Sequence, residues 1–182
     1  MIKKTTLFVL LTFGILNAGE LNVERQGFGI SYGVLGGAGV SYFNKSQKSE
    51  ISAFVMSYSD DIYEKSYDKN KEQSELHLSL HYRKFFKDRV GGYYYGGFAR
   101  YSKLEGKLKN EHNRATQSKF GIGGEIGYTS FNLLDYPGLY WGSGLGLGVY
   151  LSGEHEIFEK DDMLGDVQGV FHLDIIRLGY VF

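Results

Sequence analysis

One stretch of this chain alternates so strictly that it limits the fold to β-structure. In residues 140–150, glycine occupies every second position from Gly142 to Gly148, and the alternate positions include Trp141, Leu145 and Leu147. Successive side chains of a β-strand point to opposite faces of the sheet, whereas a helix would distribute these residues around its axis. The segment therefore predicts a strand with one apolar face and one face almost without side chains.

The same period of two recurs along the chain, and a helical period does not. Phe28, Ile30 and Tyr32 share one face of the first predicted strand, and only glycine and serine lie opposite them. Residues 75–83 alternate leucine or tyrosine with polar side chains. We predict eight strands in all, which is an all-β fold.

Two features of this pattern are less simple. In the third strand, at about residues 49–58, either the set beginning at Ile51 or the set beginning at Phe54 can face outward. Residues 59–73, 103–116 and 153–165 are rich in charge and have no apolar pattern, so we predict long polar loops there. The connections then mostly alternate between short turns and long loops.

Composition excludes several classes of protein. The chain has no cysteine, which rules out disulfides and thiolate metal sites. Its net charge of −1 and the lack of a basic cluster give no reason to expect nucleic acid as a partner. Glycine, at 26 of 182 residues, is about twice as frequent as usual, but aromatic residues are too common for a disordered chain.

The amino-terminal residues have the layout of a secretory signal peptide. Lys3 and Lys4 precede a mostly apolar stretch at residues 7–16, which is too short to span a bilayer as a helix. Small residues around Ala18 then supply a cleavage site. We predict a cleaved signal peptide at residues 1–18 and a β-barrel at residues 19–182, with a permanent anchor as the alternative.

The small residues opposite the apolar faces indicate which side of the barrel meets solvent. A soluble lipocalin-like barrel points its apolar face inward and covers its outside with charged and polar side chains. Here glycine and serine lie opposite the apolar face, which suits the narrow interior of eight strands. We therefore predict an eight-stranded antiparallel up-and-down transmembrane β-barrel, with a soluble secreted or periplasmic barrel as the alternative.

This orientation assigns two further groups of residues. Polar side chains enclosed by a narrow barrel must pair with one another to offset desolvation, so we interpret them as a structural network. Their alternative role is to line a narrow conduit for solutes or ions. The predicted lumen residues are Glu75, His77, His81, Arg83, Arg100, Lys119, Glu125 and Arg177. The predicted interfacial aromatic residues are Tyr32, Tyr42, Tyr82, Tyr101, Tyr128 and Trp141.

The last twelve residues carry a resemblance to a known class. Ile176, Leu178, Tyr180 and Phe182 form an apolar face that ends on an aromatic residue, which resembles the closing strand of bacterial outer-membrane β-barrel proteins. The resemblance implies that this face is recognised by the barrel-assembly machinery after periplasmic chaperones have delivered the chain. The whole mature chain resembles the small opacity- and attachment-type outer-membrane proteins in architecture.

A second comparison concerns enzymes. Membrane-embedded lipid A deacylases are similar small barrels with a His/Ser pair, and His77 and Ser79 invite that comparison. Here both residues fall on the predicted lumen face, and Leu80 replaces the asparagine of that motif. The acidic segment around Glu154 lacks the ordered spacing of a calcium loop. We therefore predict no catalytic residue, no metal and no cofactor.

The expected function follows from location. We predict a non-enzymatic protein of the bacterial outer membrane that displays charged loops for adhesion, host contact or envelope integrity. Its partners are then outer-membrane lipid and lipopolysaccharide, together with a host or surface ligand bound through the loops. A narrow conduit and a lipid-modifying enzyme are the alternatives.

Overall fold

The chain forms one closed antiparallel β-barrel, which confirms the predicted fold class. The structure, a computed structural model, describes residues 26–33, 36–64, 69–87, 90–108, 114–157 and 169–182. The predicted signal peptide, residues 1–18, lies outside these ranges. The strands are β1 Gly27–Gly33, β2 Gly37–Asn44, β3 Ser49–Glu64, β4 Lys69–Phe85, β5 Gly92–Leu108, β6 Arg114–Phe131, β7 Leu139–Ile157 and β8 Gly169–Val181.

Each strand pairs with its neighbours in sequence, and β1 pairs with β8 to close the barrel. At this seam Gly29 lies opposite Val181, and Gly33 lies opposite Arg177. The Phe182 N–H also donates to the Phe28 carbonyl at 2.9 Å. Closure gives the backbone groups of β1 and β8 partners along this seam, so the barrel has no edge there.

The two ends of the barrel differ. The end that carries residues 45–48, 86–91 and 132–138, with the start of β1 and the end of β8, is called the turn end here. A 3-10 turn at Leu133–Asp135 belongs to it. The opposite end, where β3–β4, β5–β6 and β7–β8 connect, is called the hairpin end. Among the described residues, no helix is long and apolar enough to cross a bilayer.

The long polar loops predicted at the hairpin end are wrong over much of their length. Strands β3 to β7 are 16–19 residues long and run into those segments. The β3–β4 pairing continues to Glu64 opposite Lys69. Where both faces of a hairpin meet water, the apolar alternation disappears although the backbone pairing persists, so a polar strand has the sequence of a loop. The connections 65–68, 109–113 and 158–168 lie outside the described residues.

The first hairpin is much shorter than the others. β1 ends at Gly33, opposite Arg177, so residues 169–176 of β8 have no β1 partner. β2 pairs with β3 only as far as Val55, so residues 56–64 of β3 have no β2 partner. Above this hairpin the described part of the barrel wall therefore lacks two strands between β3 and β8.

A β-bulge in β8 reverses which residues face the lumen. Gly142 lies opposite Arg177, but Gly144 lies opposite Asp174, so β8 holds one extra residue at this point. Arg177 and Asp174 are both buried inside the barrel, three positions apart. Without the bulge, Asp174 and His172 would share the outward face of Ile176.

The structure settles the orientation of the third strand. Ile51 and Val55 are 48% and 44% exposed on the outside, whereas Glu50 and Phe54 are 0% and 5% exposed inside. The first of the two alternative faces is thus the outer one.

Aromatic rings cover many of the inward glycines. A Cβ atom added to Gly123 would lie 2.4 Å from Phe98 Cζ, and one added to Gly146 would lie 2.7 Å from Phe98 Cε1. Tyr94 covers Gly127 and Gly144 in the same way. The glycine face of β6 and β7 therefore leaves room for rings from β5.

Candidate functional site

The lumen is packed in layers from the turn end upward. At the turn end, a buried apolar cluster fills the barrel: Phe43, Phe85, Val90, Tyr94, Phe131, Tyr140 and Val181. The next layer is a network of buried charges. A third, more polar layer lies toward the hairpin end, where the side chains of Glu75 and His77 are each 12% exposed.

Glu50 is the hub of the charged layer. Its Oε1 accepts from Arg83 Nη1 at 3.0 Å and from Arg177 Nη1 at 2.7 Å, and Ser41 Oγ donates to it at 3.1 Å. Arg177 Nη2 also donates to Glu50 Oε2 and to Thr129 Oγ1, both at 3.3 Å. One carboxylate thus compensates two buried guanidinium groups contributed by β4 and β8.

Glu125 forms the second half of this network. Arg83 donates two parallel hydrogen bonds to Glu125, from Nε to Oε1 at 3.0 Å and from Nη2 to Oε2 at 3.2 Å. His81 Nδ1 lies 2.9 Å from Glu125 Oε1. Two-point guanidinium–carboxylate contact is the geometry that best offsets the cost of burying both charges.

The structure brings half of the predicted lumen residues into this network. His81, Arg83, Glu125 and Arg177 belong to it. Glu75 pairs with His77 at 3.0 Å farther toward the hairpin end.

The two remaining predicted residues lie apart from that network. Lys119 Nζ lies 5.5 Å from the centroid of the Tyr150 ring. Arg100 contacts β8, where its Nη2 donates to His172 Nδ1 at 2.6 Å and its Nη1 donates to the Phe171 carbonyl at 3.0 Å. The eight residues therefore form several separate contact groups.

Sequence reasoning missed one glutamate, one aspartate and one histidine of the lumen. Glu50 is the second residue of β3, the strand whose outward face the sequence left undecided. If Ile51 faces outward, the adjacent Glu50 must face the lumen. Asp174 and His172 are buried inside at 2% exposure each because of the β8 bulge. No periodicity in the sequence signals that bulge.

A chain of hydrogen bonds links a serine, a histidine and a glutamate. Ser79 Oγ lies 3.0 Å from His81 Nε2, and His81 Nδ1 lies 2.9 Å from Glu125 Oε1. This order of groups is that of a nucleophile, a base and an orienting carboxylate. However, the Glu125 carboxylate is already neutralised by Arg83, and the serine faces the lumen. The contacts satisfy every polar atom of a buried imidazole, which is a structural role.

The same region has the spacing of a metal site but the wrong donor directions. Ligand atoms of His81, Glu125 and His172 all lie within 4.8 Å of one another, and the three residues are buried. Arg83 donates to both oxygens of Glu125, and Arg100 donates to His172 Nδ1. Guanidinium groups therefore compete with a cation for two of the three candidate ligands, Glu125 and His172, and their positive charge repels it. The cluster does not fit a divalent metal.

The outer surface is apolar around the whole barrel. Ile30, Leu80, Ile126 and Leu147 are each more than half exposed. At the turn end, aromatic rings on the outside of the barrel pack against one another in tilted pairs. Phe28 and Tyr42 have centroids 4.9 Å apart, and those of Tyr128 and Trp141 are 5.6 Å apart. Of the six predicted interfacial aromatics, Tyr42, Tyr82, Tyr128 and Trp141 lie toward the turn end. Tyr32 lies next to the end of the short β1, opposite Leu178, and Tyr101 lies near the middle of β5.

The apolar face of the last strand is also on the outside. Leu178, Tyr180 and Phe182 are 48%, 42% and 71% exposed, and the Tyr180 and Phe182 rings are 5.4 Å apart. Ile176 lies at the bulge and is less exposed.

Comparison with known proteins adds no family: no protein-family model, curated protein or solved structure matches this chain.

Proposed function

We propose that this chain is a non-enzymatic, integral β-barrel of a bacterial outer membrane that presents hairpins at the cell surface. The observation that carries the proposal is the inversion of polarity across the barrel wall. Charged residues such as Arg83 and Glu125 are buried in the lumen, while large apolar side chains are exposed outside. Hydrocarbon is the solvent that favours this arrangement.

The extent of the apolar surface supports this assignment. Soluble monomers rarely expose a contiguous apolar patch larger than a few hundred Å². Here outward positions from Phe28 on β1 to Leu178 on β8 are apolar on every strand, and both of these side chains are about half exposed or more. Below the end of the short β1–β2 hairpin, every strand is paired on both sides, as a hydrocarbon environment requires of a barrel wall.

The packing of the lumen favours a structural role over a conduit. The apolar cluster around Phe43 and Tyr140, both 0% exposed, fills the turn end, and the Glu50 network lies directly above it. A permeating ion would have to displace both layers. We therefore propose that the lumen residues stabilise the barrel and that transport is the weaker alternative.

The length of the strands supports display at the hairpin end. A transmembrane strand needs about 9–11 residues. β3 to β7, at 16–19 residues, are longer than that, so their hairpins project beyond the apolar band. The sequence at residues 59–73 and 103–116 is rich in charge, which suits contact with lipopolysaccharide headgroups or a host surface.

Cell fractionation, gel migration and bilayer recording together test the proposal. We expect the native protein in the outer-membrane fraction, with faster migration of the unheated than of the heated sample. A cysteine placed at position 66, between β3 and β4, is expected to react with an impermeant maleimide on intact cells, whereas one at position 46 is not. Purified barrel is expected to give no conductance steps in a planar bilayer.

Other outcomes have definite meanings. A monodisperse mature protein that is soluble without detergent contradicts the membrane assignment. Reproducible conductance that changes on Arg83→Gln replaces the structural role with transport. Labelling at position 46 but not at position 66 reverses the orientation.

A further inference from the structure

Over the described residues, the wall of the barrel lacks strands on one side at the hairpin end. β1 and β2 stop at Gly33 and Gly37, while β3 and β8 continue past them. Residues 56–64 of β3 and 169–176 of β8 consequently have no strand partner on the sides that face each other, within the described part of the chain. Tyr58, which shares the lumen-facing side of β3 with Phe54, is 48% exposed. In the part of the chain that the structure describes, the lumen thus has a lateral opening between β3 and β8.

Arg100 lies at this opening. Its guanidinium donates two hydrogen bonds to the part of β8 that has no β1 partner, one to the Phe171 carbonyl and one to His172 Nδ1. Ser79, directly across from Arg100 on β4, is partly exposed, so solvent reaches this level of the lumen. Arg100 itself is 8% exposed.

Arg100 also differs from the other two lumen arginines. Arg83 and Arg177 each contact two carboxylates. Among the residues that the structure describes, no carboxylate lies within 4.0 Å of Arg100, and its buried Nε has no hydrogen-bond partner. Burying a guanidinium costs several kcal/mol unless an anion accompanies it.

The neighbouring His172 also has a hydrogen-bond donor without a partner in the described part of the chain. Because Arg100 donates to His172 Nδ1, a neutral His172 carries its hydrogen on Nε2. That Nε2 is buried and has no partner among the described residues. Two unused N–H donors and one guanidinium without a carboxylate in contact therefore lie together, which is a setting for an anion.

The surface outside the opening is apolar. Phe171 faces outward and is 57% exposed, and Leu173 follows it on the same side of β8. Glu125 and Asp174, which could repel an anion, each have another arginine within 4.0 Å. An amphiphile can therefore place its charged group at Arg100 while its hydrocarbon chain remains outside along β8.

We propose that the lateral opening between β3 and β8 binds an anionic membrane lipid, with its phosphate or carboxylate on Arg100 and His172 and its acyl chain against Phe171 and Leu173. This proposal rests on the membrane location proposed above. Because the β1–β2 hairpin is short, the charged group of the lipid reaches the lumen sideways, between β3 and β8.

The test uses the refolded full barrel in dodecyl maltoside, a neutral detergent, with monododecyl phosphate as the probe. Native mass spectrometry is expected to detect one bound probe. Arg100→Gln is expected to weaken binding at least tenfold. Lys103→Gln, which removes an exposed charge from the same strand, should leave binding unchanged. Inorganic phosphate at equal concentration should not displace the probe.

A second variant covers the case in which Arg100→Gln does not fold. Phe171→Ser removes contact with the acyl chain but retains the backbone carbonyl, so it is expected to weaken binding several-fold. Phe120→Ser is the control: it removes an exposed ring from β6, away from the opening, and should leave binding unchanged. Equal binding by all variants overturns the proposal. Displacement by inorganic phosphate overturns the lipid assignment. Because binding is measured in detergent, its failure is distinct from failure of the membrane location, which fractionation decides.

Discussion

Arg177 in the last strand and Glu50 in the third strand form a two-point ion pair across the lumen, although 127 positions separate them. The Nη1–Oε1 distance is 2.7 Å and the Nη2–Oε2 distance is 3.3 Å. Neither strand is bonded to the other, because β1 and β2 lie between them. The pair therefore connects parts of the wall that backbone hydrogen bonding does not join directly.

Glu50→Gln is expected to destabilise the folded barrel strongly. The substitution leaves Arg83 without one of its two carboxylates and Arg177 without its two-point partner. Removing one member of a buried pair costs about 3–5 kcal/mol. Urea unfolding of the barrel refolded in lipid vesicles, followed by the loss of the fast-migrating band, measures the change.

Glu105→Gln is the matched control for this substitution. Glu105 pairs with Lys103 at the surface, with side chains 52% and 41% exposed, and such pairs contribute about 0–1 kcal/mol. Similar losses from the two variants would contradict a central role for the Glu50 network.

Gly123→Ala is expected to destabilise the barrel by overpacking. The new methyl group would meet Phe98 Cζ at 2.4 Å and the Leu147 carbonyl oxygen at 2.5 Å. Forcing an extra carbon into a packed core costs about 1–3 kcal/mol. The same unfolding assay detects this loss.

Gly97→Ala provides the comparison on the outside of the neighbouring strand. The nearest atom to the new methyl group would be the Gly123 carbonyl oxygen at 3.4 Å, which is an ordinary van der Waals contact. If Gly97→Ala destabilises the barrel as much as Gly123→Ala does, ring packing over the inner glycines is not the reason for their presence.

The sequence predicts most of this fold because the faces of its strands differ so strongly. In β7, for example, the adjacent residues Gly144 and Leu145 differ so much in size and polarity that the first is predicted to face the lumen and the second the outside of the barrel. The alternation is lost where both faces are polar, which is why the segment that ends at Glu64 has the sequence of a loop although it is a strand. Backbone pairing has no side-chain signature there.

The lumen could be predicted only in part, for two physical reasons. A bulge shifts the period by one residue, so Asp174 and His172 face inward although Ile176 has the same parity and faces outward. Partners across a lumen are fixed by strand order and register rather than by local pattern, so Arg83 could be placed inside but not assigned to Glu50 and Glu125.

Phe182→Ala is expected to lower the fraction of chains that reach the folded, membrane-inserted state. The Phe182 ring packs against Tyr180 at 5.4 Å, and its N–H bonds to Phe28 on the strand that closes the barrel. The resemblance to outer-membrane closing strands further implies that this aromatic residue is read during assembly. The measurement is the ratio of fast-migrating barrel to total synthesised protein in cells.

Phe86→Ala is the control for loss of an exposed aromatic ring outside the closing strand, since Phe86 is 67% exposed. It is expected to leave that ratio near the wild-type value. Equal folded fractions for wild type and Phe182→Ala would refute the assembly role.

Ser79 is expected not to act as a nucleophile, even though its hydrogen-bond chain through His81 to Glu125 has the order of a hydrolytic triad. Arg83 holds both oxygens of Glu125, so this carboxylate is poorly placed to stabilise positive charge on His81 during catalysis. The folded barrel is therefore expected to resist labelling by a fluorophosphonate, and Ser79→Ala should match wild type in lipid A ester release. Heat-denatured barrel is the background control, and an active serine esterase is the positive control for the reagent. Labelling of the folded barrel that disappears on Ser79→Ala and on His81→Gln would restore the enzymatic alternative.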